Sequence, residues 1–355
     1  MSGRHEELGW LGWREWFEQR AECAPRETIA RVAAIDREQL VLMDHDGFFR
    51  AKLAGSYLHR HCQPHELPCV GDWVRLEKRE NGPSLVKAIL ERQTSLRRKT
   101  AGNAIDYQMI AANVDCVIIV QSCPVDFNIN RLTRYLIMAA EGGIEAHILL
   151  TKTDLVEPDI LAEQVSNIRA AGITAPVFAV STVTRDGVES FASQLANEKT
   201  YCFVGSSGVG KSSLINLLLG NEVLSTQDVS DTGEGRHTTV RREMIRLLSG
   251  ALVIDTPGMR ELGVVGADSG IGASQANIEA LAADCRYRNC SHTCEPGCAV
   301  RAAVETGALS SAQYENYVKL KSESDFNQMS YVEKRRRDRS FSRSIKSAKK
   351  TMRDS

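Results

Sequence analysis

"HILLTKTDLVEP", residues 147–158, runs apolar residues into Thr-Lys-Thr-Asp and then breaks at a proline. A buried strand that ends in such a polar tetrad has the form of a guanine-reading loop. In "TKTD", the carboxylate of Asp154 can accept two hydrogen bonds from the N1 and N2 donors of guanine, which adenine lacks, and Lys152 can lay its stem over the base. Thr151 and Thr153 complete the tetrad. A second loop, supporting guanine O6, should follow the next strand, and "VFAVST" (177–182) offers Ser181 there.

Further along lies "YCFVGSSGVGKSSLINLLLG" (201–220), a strand, a glycine loop and the start of a helix. Gly205, Gly210, Lys211 and Ser212 satisfy G-x-x-x-x-G-K-[ST]. Backbone N–H groups of the loop, which includes Ser206, Ser207, Gly208, Val209 and Ser213 at its borders, point at phosphates. Lys211 reaches the terminal phosphates, and Ser212 ligates Mg²⁺. "ALVIDTPG" (251–258) puts Asp255 at the end of an apolar strand, where an acid holds the Mg²⁺ shell, and Gly258 where its N–H can meet the γ-phosphate. Base clamp, base support, phosphate loop and D-x-x-G thus run in an order that ordinary G domains do not have, since those begin with the phosphate loop. Moving the chain ends within one sheet yields this order. The cut falls between the strand ending at Asp255 and "VDCVIIV" (114–120), and such permutation is tolerable because chain termini are often close in space.

Between these motifs, residues 100–265 alternate strands with helices such as "INRLTRYLIMAAE" (129–141) and "GVESFASQLANE" (187–198). The strands are continuous apolar runs, as in a parallel α/β sheet covered on both faces, with ligands expected at its carboxyl ends. Residues 26–99 read differently. Five short strand-like runs separated by turn signals such as "DHDG" and "ENGP" fit a small oligonucleotide-binding (OB) barrel. Residues 31–99 carry thirteen Lys/Arg against nine acids, together with Phe48, Phe49, Tyr57 and Trp73. Basic charge with aromatics suits RNA, although Trp73 and Phe48 are expected in the barrel core.

The 355 residues suffice for two or three domains, and 43% hydrophobic with 25% charged is ordinary for a globular protein. No apolar run reaches the roughly 20 residues of a membrane span. The N-terminal extension, 1–25, is acidic and bears Trp10, Trp13 and Trp16 without a secretory core, so a cytoplasmic location is expected. Net charge is −1, but residues 330–355 hold ten Lys/Arg against three acids, giving a +7 tail on a −8 body. Such a tail is expected to be disordered and to favour polyanions.

"VGDWV" (70–74), "IAANVDCVIIV" (110–120), "GSSGVGKSSLIN" (205–216), "GRHTT" (235–239), "DTPGMRE" (255–261) and "CRYRNCSHTCEPGCAV" (285–300) together resemble the circularly permuted ribosome-biogenesis GTPases of the RsgA type, also called YjeQ or YloQ. The resemblance spans roughly residues 26–320. It implies an OB barrel, a permuted GTPase, a small, mainly helical zinc domain over 266–329, and action on the small ribosomal subunit and its rRNA late in assembly, with GTP and GDP as ligands. One position departs from the family, which usually has Asn where Thr151 stands. Asn would tie the clamp to the phosphate loop; Thr has a shorter reach, so weaker guanine binding is expected.

In the switch stretch "DTGEGRHTTVRRE" (231–243), Thr238 or Thr239 should ligate Mg²⁺ when the γ-phosphate is present. Many GTPases place Gln after D-x-x-G to orient water; here Met259 stands there. A slow intrinsic rate follows, with a partner or His237 to position the water, unless His237 is a plain loop residue. Cys285, Cys290, His292 and Cys298 are spaced C-x₄-C-x-H-x₅-C, and Cys294 is a fifth candidate. A Cys₃His set makes a closed, structural zinc site; the resemblance assigns the first four, and Pro296 and Gly297 can turn the loop. The chain is read as a monomeric GTP hydrolase with no membrane partner. Its rivals are a nucleotide-gated RNA-binding module with negligible turnover and an ATP-dependent P-loop enzyme.

Overall fold

The computed structural model describes residues 5–36, 39–60, 63–79, 82–99, 107–220, 242–256, 276–288 and 290–328. His237, Thr238, Thr239, Gly258, Met259 and the basic tail lie outside the described residues.

The N-terminal extension holds a 3-10 turn, Glu6–Leu11, and a short helix, α1 (Glu15–Glu18). The barrel follows as β1 (Thr28–Asp36), β2 (Gln39–Asp44), β3 (Gly47–Leu53), β4 (Trp73–Glu77) and β5 (Ser84–Ile89), with α2 (Gly55–Arg60) between β3 and β4. β1 pairs with β2, β2 with β3, β3 in parallel with β5, β5 with β4, and β4 with β1, which closes five strands. Alternation points Ala30, Val32, Leu42, Ala51, Val74, Leu76 and Val86 inward. Trp73 is fully buried, as expected, but against the outside of the barrel, where Trp13 meets its ring edge-on at 4.8 Å and Leu8, Leu11 and Phe17 join the same cluster. Phe48 departs from the expectation of a core residue: it is 66% exposed, because the alternation of β3 sends Phe49, Ala51 and Leu53 inward and Phe48 out.

A hairpin of β6 (Ser95–Lys99) and β7 (Tyr107–Ala112) leads from the barrel into the α/β sheet. Gly71 permits the contact between them. Its φ is +95°, and a Cβ there would lie 2.0 Å from the Ala112 carbonyl oxygen. The sheet then builds from β8 (Cys116–Ser122), α3 (Ile129–Glu141), β9 (Glu145–Thr151), α4 (Pro158–Ala170), β10 (Val177–Val180), α5 (Val188–Ala192), β11 (Thr200–Val204), α6 (Lys211–Leu219), β12 (Glu243–Arg246) and β13 (Leu252–Asp255). In space the order is β10-β9-β8-β11-β13-β12, parallel except for β12. β8 and β13, the first and last of its parallel strands along the chain, flank β11 on either side, which is the signature of the permutation.

β12 also bridges to β1, Glu243 opposite Ala34, so barrel and α/β sheet are continuous. A register shift between Val32 and Ala34 divides β1: Thr28–Arg31 pairs with β4, and Ala34 beyond it meets β12. Buried Arg31 pins this junction. It donates to the carbonyls of Leu11, Gly71 (3.2 Å) and Asn113 (2.8 Å) and to Thr200 Oγ1 (2.9 Å). Burial lowers its pKa to about 10, with Asp115 and Asp72 pulling the other way.

The C-terminal helices are α7 (Ala276–Ala282), α8 (Ala299–Glu305) and α9 (Ser311–Gln328). Their core of Ile278, Val300, Tyr317 and Leu320 takes in Ile137 of α3, and Asn316 Nδ2 donates to Thr133 Oγ1 of α3 at 3.3 Å.

Candidate functional site

Four loops meet at the carboxyl ends of the parallel strands. The loop after β11 is shaped by Gly205, whose φ of +152° and whose would-be Cβ, 2.3 Å from the Val120 carbonyl oxygen, admit no side chain. Gly210 (φ +98°) opens α6, so the amides of a helix N-terminus face the loop. Buried Lys211 folds back over it, Nζ donating to the carbonyls of Gly205 (2.9 Å) and Ser206 (2.7 Å). Burial holds its ammonium below the ordinary range despite the pull of Asp255 and Asp126. Ser206 and Val209 are buried, and Ser207 and Gly208 are exposed.

Asp255 ends β13 with its carboxylate buried. Oδ2 accepts from Ser212 Oγ at 3.3 Å, and among the described residues no hydrogen bond satisfies Oδ1. Burial raises its pKa above the usual carboxylate value. A buried carboxylate oxygen left unpaired beside a serine hydroxyl is a hard-oxygen donor set, and it suits Mg²⁺.

At the end of β9, Thr151 is buried and its hydroxyl lies 2.5 Å from the Val209 carbonyl and 3.2 Å from that of Gln121. One proton serves one acceptor at a time, and the shorter contact is to the phosphate loop. Threonine therefore reaches that loop, contrary to the expectation from its length: strands β9 and β11 are separated only by β8, and the loop bends toward the clamp. Lys152 turns the chain in left-handed conformation (φ +58°), which throws Thr153 and Asp154 into a 3-10 turn. Asp154 is exposed, and its Oδ1 accepts from Ser181 Oγ at 2.5 Å. Ser181 Oγ in turn accepts from the N–H groups of Val183 and Thr184, both at 3.1 Å. The two predicted base loops are thus joined by one hydrogen bond.

Sequence reasoning missed a supporting segment, 121–128. The buried side chain of Gln121 exchanges hydrogen bonds with the backbone of Asn128, both at 3.1 Å, and Asn128 Oδ1 caps α3 by accepting from Arg131 N at 2.9 Å. Asn before an apolar helical run was the available signal. Thr256 was also passed over; its hydroxyl donates to the Phe203 carbonyl at 2.6 Å and fixes the end of β13 beside β11.

Cys285, Cys290, His292 and Cys298 bring one ligand atom each within 4.8 Å of one another. Cys285 Sγ is 3.9 Å from Cys298 Sγ and 3.6 Å from His292 Nδ1, and Cys298 Sγ is 3.5 Å from His292 Nδ1. Zinc–sulfur bonds of about 2.3 Å at tetrahedral angles require edges of about 3.8 Å, so the set fits zinc. His292 is held by Tyr314, whose hydroxyl donates to its carbonyl at 2.7 Å. Gly297 (φ +75°) turns the loop, and Cys294 is exposed outside the cluster.

A family model described as RsgA GTPase matches residues 89–265. A Vibrio vulnificus (strain CMCP6) protein named small ribosomal subunit biogenesis GTPase RsgA 2 is 40% identical over 331 residues, covering 92% of this chain and 90% of its own. A Streptomyces coelicolor protein of the RsgA name is 37% identical over 320 residues, 89% of this chain and 86% of its own. The crystal structure of YjeQ from Thermotoga maritima aligns with a TM-score of 0.62 at 25% identity, covering 83% of this chain and 97% of that one. That of YloQ, described as a circularly permuted GTPase, aligns at 0.61 and 24%, covering 88% and 100%, and speaks for the fold.

Proposed function

The chain belongs to the RsgA GTPase family, and from that premise we propose that it is a late maturation factor of the small ribosomal subunit, binding rRNA through its barrel and zinc domain and released by subunit-stimulated GTP hydrolysis. The observation that carries the nucleotide part is the convergence of Lys211, Asp255, Thr151 and Asp154 at one edge of the sheet, tied through Val209 and Ser181.

In this reading the amides of 205–213 and Lys211 meet the phosphate charge, and Lys211 exchanges its two loop carbonyls for phosphate oxygens. Ser212 and Asp255 would hold Mg²⁺, which would supply positive charge against the phosphates. Asp154, oriented by Ser181, takes the N1 and N2 donors of guanine. Thr238 or Thr239 senses the γ-phosphate, and His237 or the subunit orients the attacking water, since Met259 cannot. Zinc on Cys285, Cys290, His292 and Cys298 folds the C-terminal helices and takes no part in chemistry. In the same reading the chain divides into an extension 1–25, a barrel 26–99, a GTPase domain 100–265, a zinc domain 266–329 and a tail 330–355. Among the described residues no helix is long and apolar enough to cross a membrane, and the reading is of a cytoplasmic monomer.

The test is phosphate release from GTP with and without purified small subunits. Stimulation by subunits supports the reading. A rate that subunits leave unchanged, together with equal subunit binding in GDP and in a slowly hydrolysed GTP analogue, would overturn it.

A further inference from the structure

β12 runs between the barrel and the parallel strands. On one side Glu243 bridges to Ala34 of β1; on the other it pairs with Asp255, the last residue of β13. Residues directly opposite on antiparallel strands share a face, with Cβ atoms about 4.5–5.5 Å apart. Packing identifies that face. Ile245 and Val253 keep the two-residue period of Glu243 and Asp255, and they belong to the cluster that contains Leu214 and Ile215 of α6. Met244 and Ile254 point into the cluster on the opposite face. The carboxylates of Glu243 and Asp255 therefore stand side by side on the face of α6, at the end of the strands where Asp255 meets Ser212.

Two like charges directly opposite destabilise a sheet. The arginines that flank Glu243 do not relieve this pair, because both face the other way. Arg242 donates to the Met109 carbonyl at 3.2 Å, and Arg246 lies over Trp10, which packs on the cluster of Met244. Glu243 is half-buried and has no ion pair among the described residues. Lys211 pulls on Asp255 from the phosphate loop, but its ammonium is taken by the carbonyls of Gly205 and Ser206. Burial and, behind it, the charge of Glu243 push the Asp255 carboxyl above its usual range. A fold that keeps such a pair beside an unsatisfied buried oxygen holds a place for positive charge.

We propose that Glu243 is a second carboxylate of the magnesium site, placed beside Asp255 to accept from a water of the ion's shell. The chemistry selects this role. Mg²⁺ keeps several of its waters and is bound through one or two carboxylates together with substrate phosphates. A carboxylate one strand away from Asp255 is placed to meet such a water. The inference rests on the reading of Ser212 and Asp255 given above. It also gives the barrel a hold on the site, since Ala34 fixes the strand that carries Glu243.

The test measures binding of fluorescent GDP to the full chain across a Mg²⁺ series, so it reads affinity and not turnover. GDP should bind more tightly as Mg²⁺ is added. Glu243→Gln should move the Mg²⁺ midpoint to a concentration about tenfold higher and leave GDP affinity in EDTA as it was. Glu243→Asp, which keeps the charge, should move it less. Melting in EDTA checks the fold: with one of two like charges gone, Glu243→Gln should melt at or above the unaltered chain. An unmoved midpoint in Glu243→Gln overturns the proposal, and so does a Glu243→Asp midpoint moved just as far. A Glu243→Gln variant that melts lower in EDTA, or binds GDP more weakly there, overturns it as well, because Glu243 would then serve the fold or the phosphate loop. If GDP affinity of the unaltered chain ignores Mg²⁺, the reading of Ser212 and Asp255 fails and Glu243 falls with it; a normal Mg²⁺ response with an unmoved variant removes Glu243 alone.

Discussion

Thr151 Oγ1 lies 2.5 Å from the carbonyl oxygen of Val209, a bond that spans 58 residues of sequence and ties the proposed base clamp to the phosphate loop. Replacing that hydroxyl by a methyl leaves a buried carbonyl unpaired. Thr151→Val should cost about 1–3 kcal/mol in urea unfolding and weaken binding of fluorescent GDP. Thr151→Asn, which supplies a longer donor, should keep GDP affinity at least at the level of the unaltered chain. Unchanged affinity in Thr151→Val would show that the tie does not serve the nucleotide.

Asp154→Asn should invert base preference. The amide puts donors where guanine N1 and N2 also donate, whereas xanthine offers an oxygen. Loss of GTP affinity on the order of a hundredfold or more is expected, with xanthosine triphosphate recovering it. Competition binding measures both.

Asp255→Asn should separate stability from activity. Burial raises the pKa of Asp255 above the ordinary 3.8. The fold therefore holds the proton more tightly than the unfolded chain. The stabilisation is full below pH 3.8 and is lost as pH rises through the folded value. At neutral pH, without Mg²⁺ or nucleotide, Asp255→Asn should melt higher than the unaltered chain. The gap should close on acidification below pH 3.8, and turnover should be absent. Melting curves across pH, beside a phosphate-release assay, test the pair of effects.

Zinc content should be about one per chain. Cys285→Ser should lower it and unfold the C-terminal helices, seen as lost amide protection over α8 and α9. Cys294→Ser should leave both untouched. A native chain free of zinc would contradict the assignment.

Arg31→Met should release the N-terminal extension, since four acceptors on four segments lose their donor at once. A loss of at least about 3 kcal/mol is expected. Arg31→Lys should not restore it, because one ammonium cannot span the fork. Limited proteolysis within residues 5–23 reports the release.

Much of this was legible before the structure. Apolar runs fixed β8, β9, β11 and β13, and the motifs at their ends marked Lys211, Asp255 and Asp154, because a phosphate or a base demands particular atoms at a strand's end. The clustering of Cys285, Cys290, His292 and Cys298 was readable from spacing with the resemblance. What escaped was set by distant partners. Arg31 reads as one more surface cation until Leu11, Gly71, Asn113 and Thr200 are seen around it. Phe48 and Phe49 are adjacent and chemically alike, and only strand register decides which one faces out. β12, four residues long and polar at both ends, carries no apolar pattern of its own and exists as a strand because β13 is beside it.

The bridge between Ala34 and Glu243 has a consequence for anyone cutting the protein into pieces. Without the barrel, β12 would lose its outer neighbour and become a raw sheet edge, its amides and carbonyls a template for another chain. Trp10, now under the guanidinium of Arg246 at 4.7 Å, would be stripped away with it. A truncated G domain should therefore dimerise edge to edge or aggregate. Its kinetics would then describe an object the whole chain never forms.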